Sequence, residues 1–250
     1  MAYLYTKPVP EQSETASTPE SWETNFANSK AFTWWTAFRL KATREWKLIQ
    51  RYIPRGSRVA DMGSGPGHWV RLLSLHGYRA VGCDYSAGLI ARARALYPDS
   101  EWIQTRIQSV PLPDASLDGI ISWGVIEHEK AGPGEALREF HRLLAPGGHI
   151  IVTVPIDTPA ARHAHDVFES GDGHPAFFQY LMSEEELGRH VADAGFEVLE
   201  TGSLPSAHIN HVAPKVAKRL RGIPYRAAMA GTFLLLSWMK RYRVMIYAVG

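Results

Sequence analysis

The stretch Val59-Ala60-Asp61-Met62-Gly63-Ser64-Gly65-Pro66-Gly67 decides how this chain folds. It opens as a short strand, Arg58 to Met62, that runs straight into glycine. Glycines spaced G-x-G-x-G let the backbone turn tightly and let a ligand approach with no Cβ in the way. A helix from His68 to His76 follows, ended by Gly77. A second strand, Arg79 to Asp84, then closes on a carboxylate 23 positions after Asp61. In a doubly wound sheet both strand ends border the crevice where the strand order reverses. A carboxylate there can accept two hydrogen bonds from a ribose diol. Any strand-to-helix turn can use glycine, so it is the added Asp84 spacing that points to a nucleoside ligand. Two ligand classes compete for this geometry. A dinucleotide site wants G-x-G-x-x-G and a helix N-terminus facing a pyrophosphate. Here the third glycine comes one position earlier, and Asp61 stands two positions before the first. A carboxylate so close disfavours a pyrophosphate and suits a ligand carrying an ammonium group.

Outward from this loop the chain alternates strand-like and helix-like segments. A polar leader runs to about Ser21. Phe26 through Tyr52 reads as one or two amphipathic helices rich in aromatics, closed by Pro54-Arg55-Gly56. Ser86 can N-cap a helix to about Leu96, stopped by Pro98. Trp102-Ile103 is a third strand and Leu117 to Trp123 a fourth. A helix from Gly134 to Leu144 ends at Pro146-Gly147-Gly148, and Ile150 to Val154 is a buried fifth strand. Ser183 and Glu186 form a capping box on a helix reaching Ala194, which Gly195 ends. Phe196 to Leu199 and Arg243 to Val249 read as the last two strands. The expected fold is α/β, a doubly wound, mostly parallel sheet with helices on both faces. The expected division is a leader and N-terminal helical lid over residues 1–52 and one domain over 53–250, with a helical insertion at 206–242 before the last strand.

At this point the sequence resembles class I S-adenosylmethionine-dependent methyltransferases. Val59 to Gly67 looks like their first motif, and Val81-Gly82-Cys83-Asp84-Tyr85-Ser86 looks like their second. The run from Val110 to His128, with Leu112-Pro113-Asp114 early and Val125-Ile126-Glu127-His128 at its end, is similar to the corresponding run of the type 11 branch. Arg142-Leu143-Leu144-Ala145-Pro146-Gly147-Gly148 is similar to its helix-to-strand corner. The resemblance covers about Arg58 to Pro155 and implies a Rossmann-like, seven-stranded sheet whose last strand runs antiparallel. It implies S-adenosyl-L-methionine as cofactor. Gly63, Ser64 and Gly65 would back the methionine portion, with Asp61 organising the loop from below. Asp84 would hold the ribose, Tyr85 would pack on the adenine, the Ile107 N–H would meet the adenine ring, and Trp123 would approach the methionyl group. One departure stands out. Arg106 occupies the place of an Asp that accepts from the adenine amine, and arginine has no acceptor. Gln108 or a backbone carbonyl must then do that work.

The rest of the chain bounds the function. A formal charge of +2, with 45% hydrophobic and 21% charged residues, is ordinary for a soluble globular protein. Cys83 is the only cysteine, which excludes an intrachain disulfide and fits a cytoplasmic location. The first 22 residues lack the apolar core of a signal peptide. The longest apolar stretch, Ala227 to Met239, falls short of the roughly 20 residues that span a bilayer. His128 and His174 are the candidates for a catalytic base, since histidine titrates near neutrality. His163, His165 and Asp166 lack the spacing of a recognised metal site, so no metal is expected. Trp34 and Trp35 either lid the cofactor or pack as core. Between Ser206 and Arg243 there is no acidic residue, while Lys215, Lys218, Arg219, Arg221, Arg226, Lys240, Arg241 and Arg243 are basic. That segment is a solvated basic cover, or it meets an anionic, lipid-like acceptor or a membrane surface. No basic-aromatic pattern of a nucleic-acid module is present, so a small-molecule acceptor is expected rather than RNA or DNA. The expected activity is transfer of a methyl group by in-line displacement. The alternative is a cofactor-binding protein of the same fold that acts as a partner without turnover.

Overall fold

Parallel strands buried on both faces read as continuous apolar runs, and the computed structural model places the runs at Arg58–Met62, Arg79–Asp84, Leu117–Trp123 and Leu144–Pro155 in one sheet. It describes residues 2–5, 17–158, 177–205 and 243–250. Seven strands among these form the sheet: β2 (Arg58–Met62), β3 (Arg79–Asp84), β4 (Glu101–Gln104), β5 (Leu117–Trp123), β6 (Leu144–Pro155), β8 (Glu200–Pro205) and β9 (Arg243–Val249). Their order is β4-β3-β2-β5-β6-β9-β8, with β9 antiparallel to both neighbours and the pairs from β4 to β6 parallel. The order reverses between β2 and β5, so the crevice lies outside the carboxyl ends of those two strands.

The period of two in strands sets the two cores. On β5, Ile120 faces one side and Ile121 the other; on β6, Ile150, Val152 and Val154 share the Ile120 side while Ile151 takes the opposite one. The Ile120 side is covered by α6 (Gly134–Leu143), which buries Ala136, Leu137, Phe140 and Leu143 along one face. It is also covered by α7 (Glu184–Asp193), through Leu187 and Val191. The Ile121 side is covered by α3 (Arg44–Tyr52), α4 (His68–Leu75) and α5 (Ala87–Leu96), bringing Trp46, Ile49, Val70, Leu73 and Ile90. The expected caps are present. The Ser86 hydroxyl accepts from the Leu89 N–H at 3.1 Å, and Ser183 and Glu186 close a full capping box.

Three expectations need correction. The leader is not featureless. Ala2–Tyr5 forms β1, antiparallel to β7 (Phe177–Leu181), and Pro19–Phe26 forms a helix, α1. The aromatic region holds two helices as expected, α2 (Trp34–Lys41) and α3, but they start at Trp34 and not at Phe26, which ends α1. The sixth strand of the sheet is not Phe196–Leu199. It is Glu200–Pro205, because β9 pairs Val249 with Glu200 and Arg243 with Pro205. The helical insertion expected at 206–242 lies outside the described residues.

Candidate functional site

The glycine loop leaves the carboxyl end of β2 with left-handed residues, φ being +81° at Gly63, +50° at Gly65 and +79° at Gly67. A side chain is strained there. At Gly67 a Cβ would also stand 2.3 Å from the Trp102 ring. The Gly63 and Ser64 N–H groups both donate to the Cys83 carbonyl of β3, at 2.8 and 2.9 Å. Asp84, the last residue of β3, receives the Gly65 N–H on Oδ2 at 2.8 Å and the Ser86 N–H on Oδ1 at 2.9 Å. Loop and carboxylate are therefore one hydrogen-bonded unit, and each oxygen keeps further lone-pair capacity.

Two acids share this corner, and their surroundings separate them. Asp61 is 2% exposed, and burial, then the nearby Asp84 charge, pushes its carboxyl up to about 8. Burial also raises Asp84, but the N–H groups of Ser86, Gly65 and Tyr85 pull it back. The backbone donors favour the charge on Asp84 over Asp61, whose burial is the larger burden.

A cavity of about 370 Å3 opens at the switch point, walled by the loops that follow four strands. Gly63 and Gly65 come from β2, Asp84 and Tyr85 from β3, Ile107 and its neighbours from β4, and Trp123 and His128 from β5. Its roof is α1, which contributes Trp22 and Phe26. The Phe26 ring lies 3.4 Å from where a Cβ on Gly65 would stand, so loop and roof nearly touch. A Thr18 N-cap with Pro19 at the first position and a reciprocal Thr18–Ser21 pair starts that helix.

His128 is gripped from several sides. Its Nδ1–H donates to the Phe178 carbonyl of β7 at 2.7 Å, which leaves Nε2 as the acceptor of the ring. The rings of Trp22 and Phe178 each pack edge-on against it at 4.9 Å. Burial lowers its pKa to about 4, so the imidazole is neutral at neutral pH.

Of the residues expected at the site, Gly63, Gly65, Asp84, Tyr85, Ile107, Trp123 and His128 line the cavity. Asp61 and Ser64 are buried and do not line it. His174 lies outside the described residues. Trp34 and Trp35 do not line the cavity; they meet edge-on, Trp35 stacks on Phe38, and Trp34 is 61% exposed. The roof that sequence reasoning missed is α1, and the signal for it was the Thr18-Pro19 helix start. Gln108 and Glu129, beside Arg106, also line the cavity and carry the acceptors that Arg106 lacks.

The chain matches a family model described as a methyltransferase domain over residues 34–201. A Mycolicibacterium smegmatis protein named as a probable S-adenosylmethionine-dependent methyltransferase is 31% identical over 158 residues, 62% of this chain and 58% of that protein. A human protein named as a probable tRNA methyltransferase 9B is 32% identical over 163 residues, 62% of this chain and 34% of that protein. The chain thus spans between a third and three fifths of the length of these relatives. Among solved structures, the Burkholderia thailandensis 1,6-didemethyltoxoflavin-N1-methyltransferase, with its acceptor and S-adenosylhomocysteine bound, superposes with a TM-score of 0.59. It is 16% identical, covering 98% of this chain and 92% of that one, a likeness of fold. With more than half of its length matched by the family model, and with the glycine loop and Asp84 built around the switch point, the chain belongs to the methyltransferase-domain family, in the class I S-adenosylmethionine-dependent group.

Proposed function

We propose that the chain is an S-adenosylmethionine-dependent methyltransferase acting on a small-molecule or lipid-like acceptor. The observation that carries the reading is the Asp84 carboxylate, bonded to the glycine loop and facing the cavity at the switch point. The residues present fit the cofactor. Asp84 offers the spare acceptor positions a ribose diol needs, and Gly65 leaves a gap under Phe26 that a Cβ would fill. When bound there, S-adenosylmethionine supplies an electrophilic methyl group on its sulfonium. In this reading Asp84 holds the ribose, Tyr85 packs on the adenine, and the Gly63–Gly65 backbone backs the methionine portion. Gln108 or Glu129 accepts from the adenine amine in place of the missing carboxylate. Asp61 and Ser64 support the loop from behind.

The protein's main contribution is alignment, an effect that supplies roughly 7–11 kcal/mol in favourable cases. His128, fixed as the Nδ1–H tautomer, presents Nε2 to an O–H or N–H of the acceptor and orients its lone pair toward the methyl group. With a pKa of about 4 it is a weak base, which suits an acceptor that loses its proton readily or late. A cavity of about 370 Å3 roofed by α1 supports a small acceptor over a base within folded RNA. The unbroken positive charge of residues 206–243 supports an anionic or lipid-like one.

Thermal melting tests the reading. S-adenosylhomocysteine should raise the melting temperature and NAD should not, because a ligand that binds only the native state stabilises it. Asp84→Ala should weaken S-adenosylhomocysteine binding by about 1.5–3 kcal/mol in calorimetry, the range for hydrogen bonds to a charged group. Stabilisation by NAD alone would overturn the proposal. A methyl-transfer screen over small molecules, lipids and tRNA then identifies the acceptor.

A further inference from the structure

The roof of the cavity is attached to the body by polar contacts from its middle and from its carboxyl end. Near its middle, Glu23 reaches the start of α5, where its Oε1 accepts from the Ser86 hydroxyl at 2.7 Å and from the Gly88 N–H at 3.0 Å. At and just beyond its carboxyl end, Arg92 of α5 donates to the carbonyls of Phe26 at 2.9 Å, Ala27 at 3.3 Å and Ser29, the Phe26 carbonyl also accepting from the Ser29 N–H at 2.9 Å. Beyond the helix the chain is pinned again. The His68 ring donates to the Lys30 carbonyl at 2.9 Å, and the Phe32 N–H donates to the Tyr97 hydroxyl at 2.8 Å. Neither Glu23 nor Arg92 lines the cavity.

Gly88 shows how closely the parts are fitted. A Cβ there would stand 2.5 Å from Glu23 Oε1, so a side chain at this position would displace the carboxylate from its present place. Ser86 joins this contact to the site. Its N–H serves Asp84, its hydroxyl donates to Glu23, and the same hydroxyl oxygen caps α5. Phe26 over Gly65 and Trp22 against His128 are the surfaces that the tie brings down.

We propose that α1 is a lid over the nucleoside ligand, hinged at residues 30–32 and latched by Glu23 and Arg92, so that ligand entry and release wait on opening those contacts. Glu23 and Arg92 are then positioning residues. They set how fast the cofactor exchanges by holding Trp22 and Phe26 in place. The inference rests on the reading that the cavity takes S-adenosylmethionine.

Stopped-flow tryptophan fluorescence with S-adenosylhomocysteine tests it, since Trp22 and Trp123 both line the cavity. Glu23→Ala and Arg92→Ala should raise the dissociation and the association rate by about tenfold, the effect of losing one charge-assisted bond from the closed state. Gly88→Ala should do the same by pushing the carboxylate away. It places a better helix former in α5, so its melting temperature should hold. Glu23→Gln should exchange nearly as slowly as the parent, because an amide oxygen can still accept from both donors. Unchanged rates in both Glu23→Ala and Gly88→Ala would overturn the latch. So would a faster release with no faster entry, which would make α1 a fixed wall. Failure of the parent to bind S-adenosylhomocysteine at all would instead overturn the reading of the cavity, and the lid with it.

Discussion

Glu127 shows what a single buried acid does to this protein. It is 2% exposed, its Oε2 has no partner, and burial pushes its carboxyl up to about 8. The unfolded chain ionises near the ordinary value of 4.5. Below that pH both states hold the proton and the residue costs nothing. As pH rises toward 8 the unfolded state sheds a proton that the folded state keeps, so stability is lost across that window. Glu127→Gln should therefore match the parent near pH 4 and exceed it at pH 8 by at least about 1.4 kcal/mol, the worth of one tenfold change in an ionisation constant. Urea unfolding at pH 4, 6 and 8 checks this; a gap that does not widen with pH would mean the carboxyl is already ionised in the fold. Asp61 pulls in the same direction and will leave some pH dependence in the variant. The two acids also mark the limits of reading residues from sequence. Asp84 and the glycines were legible because their placement depends on local spacing between a strand and its turn. The state of His128 was not, since it depends on the Phe178 carbonyl, 50 positions away.

Elements were legible where their signal is local and hidden where partners are distant. Capping serines, strand runs and glycine stops placed most of the sheet and its covering helices. The helix α1 that roofs the cavity was missed because it buries no residue fully and its polar ties reach α5, more than 60 positions on. The sixth sheet strand was placed four residues early because Phe196 and Val198 look strand-like, whereas pairing is dictated by β9 arriving from the end of the chain. Glu200 secures that edge. Its Oε1 accepts from Tyr247 at 2.6 Å and Arg44 at 3.3 Å, and its Oε2 accepts from Tyr52 at 2.6 Å and Arg51 at 2.9 Å. Three of these donors belong to α3, so one carboxylate joins the helix to β8 and β9. Glu200→Ala should cost about 1.5–3 kcal/mol in urea unfolding, toward the low end because the side chain is 20% exposed. Glu200→Gln should keep part of that. A loss below about 0.5 kcal/mol would mean that water replaces the carboxylate at no cost.

At the scale of the whole molecule, alternating strands and helices foretold the parallel sheet, and the resemblance foretold its antiparallel last strand. Every residue that lines the cavity precedes Pro155. In the proposed reading, segments that enter after the fifth sheet strand help His128 choose the acceptor, and residues 206–243 are the most unusual of these in charge. They carry eight basic residues and no acidic one, around the apolar run Thr232 to Met239. In a doubly wound fold, loops beyond the strand carboxyl ends shape the ligand crevice, and this segment follows β8. Its charge should attract an acidic acceptor or an anionic lipid surface, each basic residue near such a surface adding about 1 kcal/mol at low salt. Reversing Lys215, Lys218, Arg219 and Arg221 to glutamate should leave S-adenosylhomocysteine affinity unchanged, because Asp84 and the glycine loop lie in the other half. The same variant should lose sedimentation with phosphatidylserine vesicles, and the parent's binding should fall as ionic strength rises past the point where the screening length drops below about 10 Å. A parent that ignores anionic vesicles, and a variant that methylates its acceptor at the parental rate, would together reduce the basic segment to a solvated cover.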